Sequence, residues 1–247
     1  MSEQNDQKTF LTLVLDESGS MLTQQDKTIS GINEFLDSQE DKTLGECRAS
    51  LVKFNDKVTL EYSYKLIEDV PKLTSRNYSP GGMTALYDAI AFAIKETDQR
   101  IETSQKVMEK LAGHEVKFGP LVVILIATDG AENISKQYDQ KQVFDMIKEK
   151  KDLGWTFIYI GADQDSFANA GKVGILAGNV ANFAHSNING AFSAMGQSMS
   201  SYRSAYTMAR DDLVKAEETD DTSKVLEATA NLTKLRTNYF NGETEIS

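Results

Sequence analysis

Residues 10–20 read FLTLVLDESGS, an apolar run followed directly by a loop of carboxylate, hydroxyl and glycine residues. The same order recurs in residues 121–130, LVVILIATDG, and in residues 156–163, TFIYIGAD. Near-continuous apolar runs of this length, separated by helix-like stretches, are typical of parallel strands that are covered on both faces. The three runs therefore predict the central strands of a parallel sheet, each ending in a polar loop.

The segments around these runs complete an alternating pattern of strands and helices. Residues 49–54 and 58–62 flank a polar Asn-Asp-Lys turn and predict a hairpin with one antiparallel strand. Apolar residues spaced by three and four predict helices between the strands, and residues 180–184 predict a last edge strand. We therefore expect an α/β fold with a doubly wound, mostly parallel open sheet and one antiparallel edge strand.

The C-terminal part of the chain has a helical pattern. Apolar residues recur every three or four positions over residues 192–216 and again over residues 225–239, which predicts two helices. Asp221 or Thr222 can cap the second helix, and Asn241-Gly242 can end it. The first helix is expected to cover the sheet with the second beside it; a projecting hairpin or a self-association surface is the alternative.

These patterns divide the chain into three parts. We expect a polar lead in residues 1–7, an α/β domain in residues 8–215, and a C-terminal helical extension with its tail in residues 216–247. A chain of 247 residues suits one large domain with such an extension.

The composition excludes several classes of function. The chain has 26 Lys and Arg against 37 Asp and Glu, a formal net charge of −11, which argues against nucleic acid and anionic membranes as partners. The longest apolar run, residues 121–127, is far shorter than the roughly 18 residues of a membrane span. The first ten residues are polar and contain no apolar core, so we expect no secretory signal there. The single cysteine, Cys47, is expected to be buried and fits a reducing compartment, so we expect a cytoplasmic protein.

The loop after the first predicted strand carries the most informative residues. Asp16, Ser18 and Ser20 alternate, so their oxygens can face one point, and Gly19 lets the backbone turn between them. One carboxylate with two hydroxyls suits a hard divalent cation such as Mg²⁺. Thr84 ends the loop SPGGMT just before the long predicted helix, where capping that helix is its simplest role.

Together with Gly82-Met83-Thr84 and Thr128-Asp129-Gly130, the segment Asp16-Glu17-Ser18-Gly19-Ser20 resembles the von Willebrand factor A domain family. That family carries a metal-ion-dependent adhesion site built from D-x-S-x-S, a distant Thr and a distant Asp, and all five positions are occupied here. The flanking segments SPGGMTALYDAI and LVVILIATDGAEN also look like those of the family. The resemblance is to a stand-alone intracellular member of bacterial or phage type.

The resemblance implies a role for each matching residue. Ser18 and Ser20 would bind Mg²⁺, or Mn²⁺ in its place, through their hydroxyls. Asp16 and Asp129 would bind directly or through water, and the contact of Thr84 would change between closed and open forms. The remaining coordination position would accept an Asp or Glu carboxylate from a partner protein.

Four further residues are candidates for the rim or second layer of this site: Glu17, Gly82, Glu132 and Asp163. Asp163 can alternatively cap a helix, and Glu17 and Glu132 can simply be solvated carboxylates. His114 and His185 have no carboxylate-rich loop beside them in the sequence, and we interpret them as incidental.

The sequence therefore predicts a Mg²⁺-dependent protein–protein binding module, an adaptor or assembly factor, and not an enzyme. An EF-hand fails because its twelfth loop position, counted from Asp16, is Lys27, and no nucleophile elbow or phosphate loop is present. The alternative is a self-assembling structural protein that uses the C-terminal helices, with Glu243 or Glu245 reaching a neighbour's metal. A metal-dependent hydrolase is the weakest of the three.

Overall fold

The structure is a computed structural model that describes residues 7–112, 119–161, 166–183, 188–219, 221–239 and 245–246; at 107–112, 183 and 245–246 it describes the backbone alone. The strands are β1 (Lys8–Asp16), β2 (Glu46–Phe54), β3 (Val58–Leu66), β4 (Leu121–Thr128), β5 (Thr156–Gly161), β6 (Val180–Phe183) and β7 (Glu245–Ile246). The helices are α1 (Gln25–Asp37), α2 (Leu86–Ala112), α3 (Gln140–Asp152), α4 (Ser166–Lys172), α5 (Ile188–Glu218) and α6 (Thr222–Thr237).

The strands form one sheet in the order β3-β2-β1-β4-β5-β6-β7. Every neighbouring pair is parallel except β2 and β3, which form the predicted hairpin. The three apolar runs of the sequence are β1, β4 and β5, and they lie side by side at the centre. The predicted fold class is confirmed, and the carboxyl ends of β1, β4 and β5 meet at one edge.

Helices cover both faces of the sheet because the central strands are apolar on both. Along β1, Leu11, Leu13 and Leu15 enter the core beneath α1, α5 and α6, whereas Phe10 and Val14 enter the core beneath α2, α3 and α4. This alternation is the two-residue period of a strand, and burial on both faces explains why the run is nearly continuous.

The C-terminal helices pack on the body of the protein. The apolar seam of α5, including Phe192, Met195 and Met199, lies in the same core as the sheet, and α6 adds Ala228 and Leu232 to that core. The expected arrangement, with the first helix on the sheet and the second beside it, is confirmed. Because both seams are used within the chain, neither is left as a ready-made self-association surface.

The ends of α6 match the sequence prediction at one end alone. The Asp221 carboxylate caps α6 by accepting hydrogen bonds from the backbone N–H groups of Ser223 (3.0 Å) and Lys224 (3.3 Å). The prediction that Asn241-Gly242 ends this helix is wrong, since α6 ends at Thr237 and residues 241–242 lie outside the described part of the chain. Asn179 Oδ1 accepts a hydrogen bond from the Tyr239 N–H at 2.9 Å, which draws the chain away from the helical path.

The far edge of the sheet also differs from the prediction. β6 forms where residues 180–184 predict a strand, but β7 pairs with it, Asn182 opposite Glu245 and Phe183 opposite Ile246. β6 is therefore not the edge. A two-residue pairing between segments 63 residues apart leaves no periodic signal in a single sequence, which is why the pattern could not reveal it.

Two expectations from the composition concern Cys47 and membranes. Cys47 is buried, and desolvation raises the pKa of its thiol to about 11, as befits a packing residue. None of the helices in the described residues combines the length and apolar character needed to cross a bilayer.

The contribution of α6 to the core can be tested with two leucines of the same helix. Leu232 is 6% exposed and Leu226 is 66% exposed. We expect Leu232→Ala to lower the free energy of unfolding by about 2–4 kcal/mol, because it leaves a cavity in the core. Leu226→Ala should change it by less than about 0.5 kcal/mol. Urea denaturation measures both, and equal losses would contradict the docking of α6 described above.

Candidate metal-ion site

The carboxyl ends of β1 and β4 bring Asp16 and Thr128 together. Asp16 is the last residue of β1 and is 0% exposed. Its Oδ2 accepts a hydrogen bond from Thr128 Oγ1 at 2.5 Å, and its Oδ1 accepts one from the Ser18 N–H at 2.7 Å. The buried carboxylate is thus fixed from both neighbouring loops.

The hydroxyls of the first loop extend from this carboxylate toward Asp129. Ser18 Oγ and Ser20 Oγ are hydrogen-bonded to each other at 3.1 Å, and Ser20 Oγ donates to Asp129 Oδ1 at 2.5 Å. Two carboxylates and two hydroxyls from loops 109 residues apart therefore form one continuous cluster. The alternation of Asp16, Ser18 and Ser20 indicated the first half of this cluster.

Thr84 can lie beside the cluster because Gly130 has no side chain to occupy the space between them. A Cβ on Gly130 would lie 3.3 Å from Thr84 Oγ1 and 3.7 Å from Asp16 Oδ2, so the glycine lets the two loops approach closely. Thr84 is buried and precedes α2 by two residues. All five predicted metal ligands thus lie in one place at the carboxyl edge of the sheet, where open α/β sheets bind ligands.

The expected capping role of Thr84 is taken by other residues. Glu132 Oε2 accepts from the Tyr87 N–H at 2.9 Å, and Ser135 Oγ accepts from the Asp88 N–H at 3.1 Å. In return, the Asp88 carboxylate accepts three backbone hydrogen bonds from residues 136–138, each at 2.9 Å. This exchange ties the loop after β4 to the start of α2.

Asn133 is a further residue at the site, and the sequence analysis assigned it no role. Its N–H donates to the Thr84 carbonyl at 3.1 Å, and its Oδ1 accepts from the Thr84 N–H at 2.9 Å. This two-bond clamp fixes the Thr84 backbone from the loop that carries Asp129. An Asn four residues after Asp129 has no spacing signal that pairs it with residue 84, so a single sequence could not have revealed the contact.

The rim candidates have structural contacts. Glu17 is not a solvated carboxylate: its Oε1 accepts from the Ser79 N–H at 2.6 Å and lies 3.5 Å from the buried Lys53 Nζ. The Gly82 carbonyl accepts from the Gly19 N–H at 3.0 Å. Gly82 has φ +82°, and the Asp56 carboxylate packs where its Cβ would be, so a side chain there is excluded twice over.

Glu132 is likewise no solvated rim charge, because its carboxylate accepts hydrogen bonds from the Tyr87 N–H at the start of α2 and from the Ile134 and Ser135 N–H groups of its own loop. These three residues therefore form a supporting layer behind the cluster. Asp163, His114 and His185 lie outside the described residues.

The electrostatics of the cluster favour a bound cation. Burial raises the pKa of Asp16, hydrogen bonds from Thr128 and Ser18 lower it in part, and the negative charge of Asp129 raises it further. Two neighbouring carboxylates with hydroxyls are the hard oxygen donors that Mg²⁺ and Mn²⁺ prefer. Within the described ranges, no group of three or more His, Cys, Asp or Glu residues is placed to hold a metal. This cluster has two such residues, Asp16 and Asp129, and its other donors are hydroxyls. The residues of this cluster thus fit a hard divalent cation.

The fold and this cluster together define a class of protein: an open α/β domain with oxygen donors gathered at the carboxyl edge of its central strands. The chain belongs to the von Willebrand factor type A domain family, whose sequence model matches residues 11–197. No curated protein sequence matches the chain.

Several solved structures share the fold at low sequence identity. Proximal thread matrix protein 1 from the mussel byssus has a TM-score of 0.53 at 17% identity, covering 76% of this chain and 47% of its own. A von Willebrand factor type A protein from Catenulispora acidiphila has 0.53 at 12%, covering 77% and 42%. The vWF domain of the type V pili tip protein Mfa5 from Porphyromonas gingivalis has 0.54 at 11%, covering 78% and 95%.

These identities establish the similarity of fold alone. The chain spans about half the length of the mussel protein. A second structure of that protein has zinc in its metal-ion-dependent adhesion site (MIDAS) motif, with a TM-score of 0.51 at 16% identity, covering 77% of this chain and 47% of its own.

Proposed function

We propose that this protein is a Mg²⁺-dependent protein-binding module that captures an Asp or Glu carboxylate of a partner protein. The observation that carries this proposal is the convergence of Asp16, Ser18, Ser20, Thr84 and Asp129 at one edge of the sheet. The cation would supply an open coordination position for the incoming carboxylate. Membership of the family supports a role in protein interaction.

The residues of the chain would divide the work of holding the cation. The Ser18 and Ser20 hydroxyls would ligate it, and Asp16 and Asp129 would balance its charge directly or through water. Because Thr128 and Ser18 already donate hydrogen bonds to the two Asp16 oxygens, Asp16 is a weaker electron donor to the cation than a free carboxylate would be. A partner carboxylate therefore gains a strong charge-assisted contact. Mn²⁺ would serve in place of Mg²⁺.

The overall charge bears on the choice of partner. At −11, the chain repels other acidic proteins at long range, so capture of a carboxylate would depend on the local cation and not on bulk charge. We propose an adaptor or assembly factor of the intracellular bacterial or phage type, in the cytoplasm, with no enzymatic activity. We further propose residues 8–215 as the domain that carries this site.

The proposed function can be tested by affinity capture with the full chain as bait. Mass spectrometry should identify a partner that is retained in Mg²⁺ and released by EDTA. Asp129→Ala and Ser18→Ala should lose it, whereas Asp145→Ala, which removes an exposed carboxylate paired with Lys141, should retain it. Retention of the partner in EDTA, or by Asp129→Ala, would count against the proposal.

Self-assembly stays the second candidate, but no contact in the described residues favours it. Both apolar seams are buried within the chain, and the Glu245 backbone pairs with Asn182 of the same chain. Light scattering with and without Mg²⁺ would reveal a homo-oligomer.

Asn133 offers a test of the layer behind the proposed ligands. We expect Asn133→Ala to weaken divalent-cation binding by about 10-fold or more, because Thr84 loses the clamp that positions it. Calorimetric titration with Mn²⁺ measures the affinity, and Asn169→Ala, whose side chain contacts Lys172 on α4, is the matched control. An unchanged affinity in a folded Asn133→Ala variant would show that the clamp does not position a ligand.

A further inference from the structure

A cavity of about 490 Å³ lies at the opposite edge of the sheet, where β4 and β5 begin. Helices α2, α5 and α6 each present one face to it, and Trp155 and Tyr206 form part of its wall. Its volume falls within the range of about 300–1,000 Å³ that is typical of small-molecule sites. α6 contributes four of the lining residues, so this cavity depends on the helical extension.

Apolar side chains form slightly more than half of the cavity wall. Ile101, Val122, Leu213 and Leu232 line it, and all four are buried, as is Trp155. A flat apolar body could therefore be covered on several sides, and covering it would release water from apolar surface.

The charged residues of the wall are mostly paired with an opposite charge. Asp98 lies 2.9 Å from Lys150, Glu102 lies 3.5 Å from Lys106, and Arg210 lies 2.8 Å from Asp211. Arg236 is different, since it forms no ion pair with any carboxylate of the described residues. Its guanidinium is therefore available as an ion-pair partner for the anionic group of a ligand.

The guanidinium of Arg236 is held in place by uncharged groups. Its Nη2 donates to Tyr206 Oη at 2.8 Å, and its Cζ lies 5.4 Å from the centre of the Tyr206 ring. It packs against Gly154, where φ is +89° and an added Cβ would lie 2.8 Å from Arg236 Cζ. A guanidinium fixed in this way loses little side-chain freedom on binding and presents a planar fork to an anion.

We propose that this cavity binds a small amphipathic organic anion, a compound with one carboxylate or similar group on a flat apolar body. Arg236 binds the anionic group through its guanidinium, while Trp155 and the aliphatic side chains of the wall pack against the apolar body. The site is separate from the metal-ion cluster, so binding here does not need a divalent cation.

A matched pair of dyes tests this proposal. Anilinonaphthalene sulfonate is an aromatic anion, and N-phenylnaphthylamine has the same rings without the charge. Trp155 is the single tryptophan of the chain, so its emission reports occupancy of this cavity. We expect one anionic dye per chain, with quenching of Trp155, in EDTA as well as in Mg²⁺. The neutral dye should bind about 10-fold more weakly or worse.

Variants separate the guanidinium from the cavity itself. Arg236→Met should weaken the anionic dye by about 10-fold or more and leave the neutral dye unchanged. Arg76→Met, which removes an exposed arginine elsewhere, should change neither. Thr229→Phe, on the cavity wall, should exclude both dyes.

Three results would overturn the proposal: no saturable quenching of Trp155, equal affinity for the two dyes, or unchanged binding in a folded Arg236→Met variant. Should Arg236→Met fail to fold, the affinity ratio of the dyes on the unmodified chain and the result for Thr229→Phe decide the question.

Discussion

We expect Asp129→Ala to reduce the affinity for Mg²⁺ by on the order of 100-fold or more, the largest effect of a single substitution at the site. Asp129 accepts a hydrogen bond from the Ser20 hydroxyl, which is itself hydrogen-bonded to the Ser18 hydroxyl. It is also one of the two carboxylates in the cluster. Without it, Asp16 alone must offset the cation. The substitution also removes the negative charge that raises the Asp16 pKa. Less repulsion between carboxylates then remains for a bound cation to relieve.

Thermal unfolding with and without Mg²⁺ measures this effect. At a Mg²⁺ concentration about 100 times the dissociation constant, binding should stabilise the unmodified chain by about 2.7 kcal/mol. Asp129→Ala should keep about 0.4 kcal/mol of this stabilisation or less, whereas Asp145→Ala should keep all of it. A Mg²⁺-dependent shift of undiminished size in Asp129→Ala would place the cation elsewhere.

Phe192→Ala should have the largest effect on stability. Phe192 is 1% exposed on α5, and a Cβ on Gly31 of α1 would lie 2.9 Å from its Cδ2, so the two helices pack directly through this ring. We expect a loss of about 3–5 kcal/mol in the free energy of unfolding, because the close-packed site cannot collapse around the smaller residue.

The matched control is Phe144→Ala on α3, where the ring is 39% exposed and the expected loss is about 1 kcal/mol or less. Urea denaturation of the metal-free proteins compares the two. Similar losses would mean that the interface between α1 and α5 is less closely packed than described here.

The fold was predictable from the sequence where burial leaves a pattern. Residues 10–15 and 121–127 are apolar on both faces of their strands, and the one polar residue among them is a threonine. This pattern allowed β1 and β4 to be predicted as central strands. The seam of α5 was equally visible, because its buried residues recur every three or four positions. β7 was not visible, since its pairing with β6 is a backbone contact between distant segments and requires no residue type.

The candidate site divides in the same way. Asp16, Ser18 and Ser20 are close in sequence, and their alternation alone indicated a shared target. Asp129 lies in the polar loop after the second apolar run, so the predicted parallel sheet already indicated the same edge for it. The family resemblance then assigned Asp129 and Thr84 their roles as ligands. Asn133 and Asp88 act through backbone hydrogen bonds that any loop could offer, so their roles emerged from the structure.

The most direct measurement of the central claim is a crystal structure of the chain grown with Mn²⁺, with anomalous data collected at the manganese edge. We predict one anomalous peak about 2.0–2.3 Å from both Ser18 Oγ and Ser20 Oγ, on the side where Asp16 and Asp129 converge. No peak at this position in a well-ordered crystal, or a peak held by other residues, would contradict the assignment of the cluster as the metal-ion site.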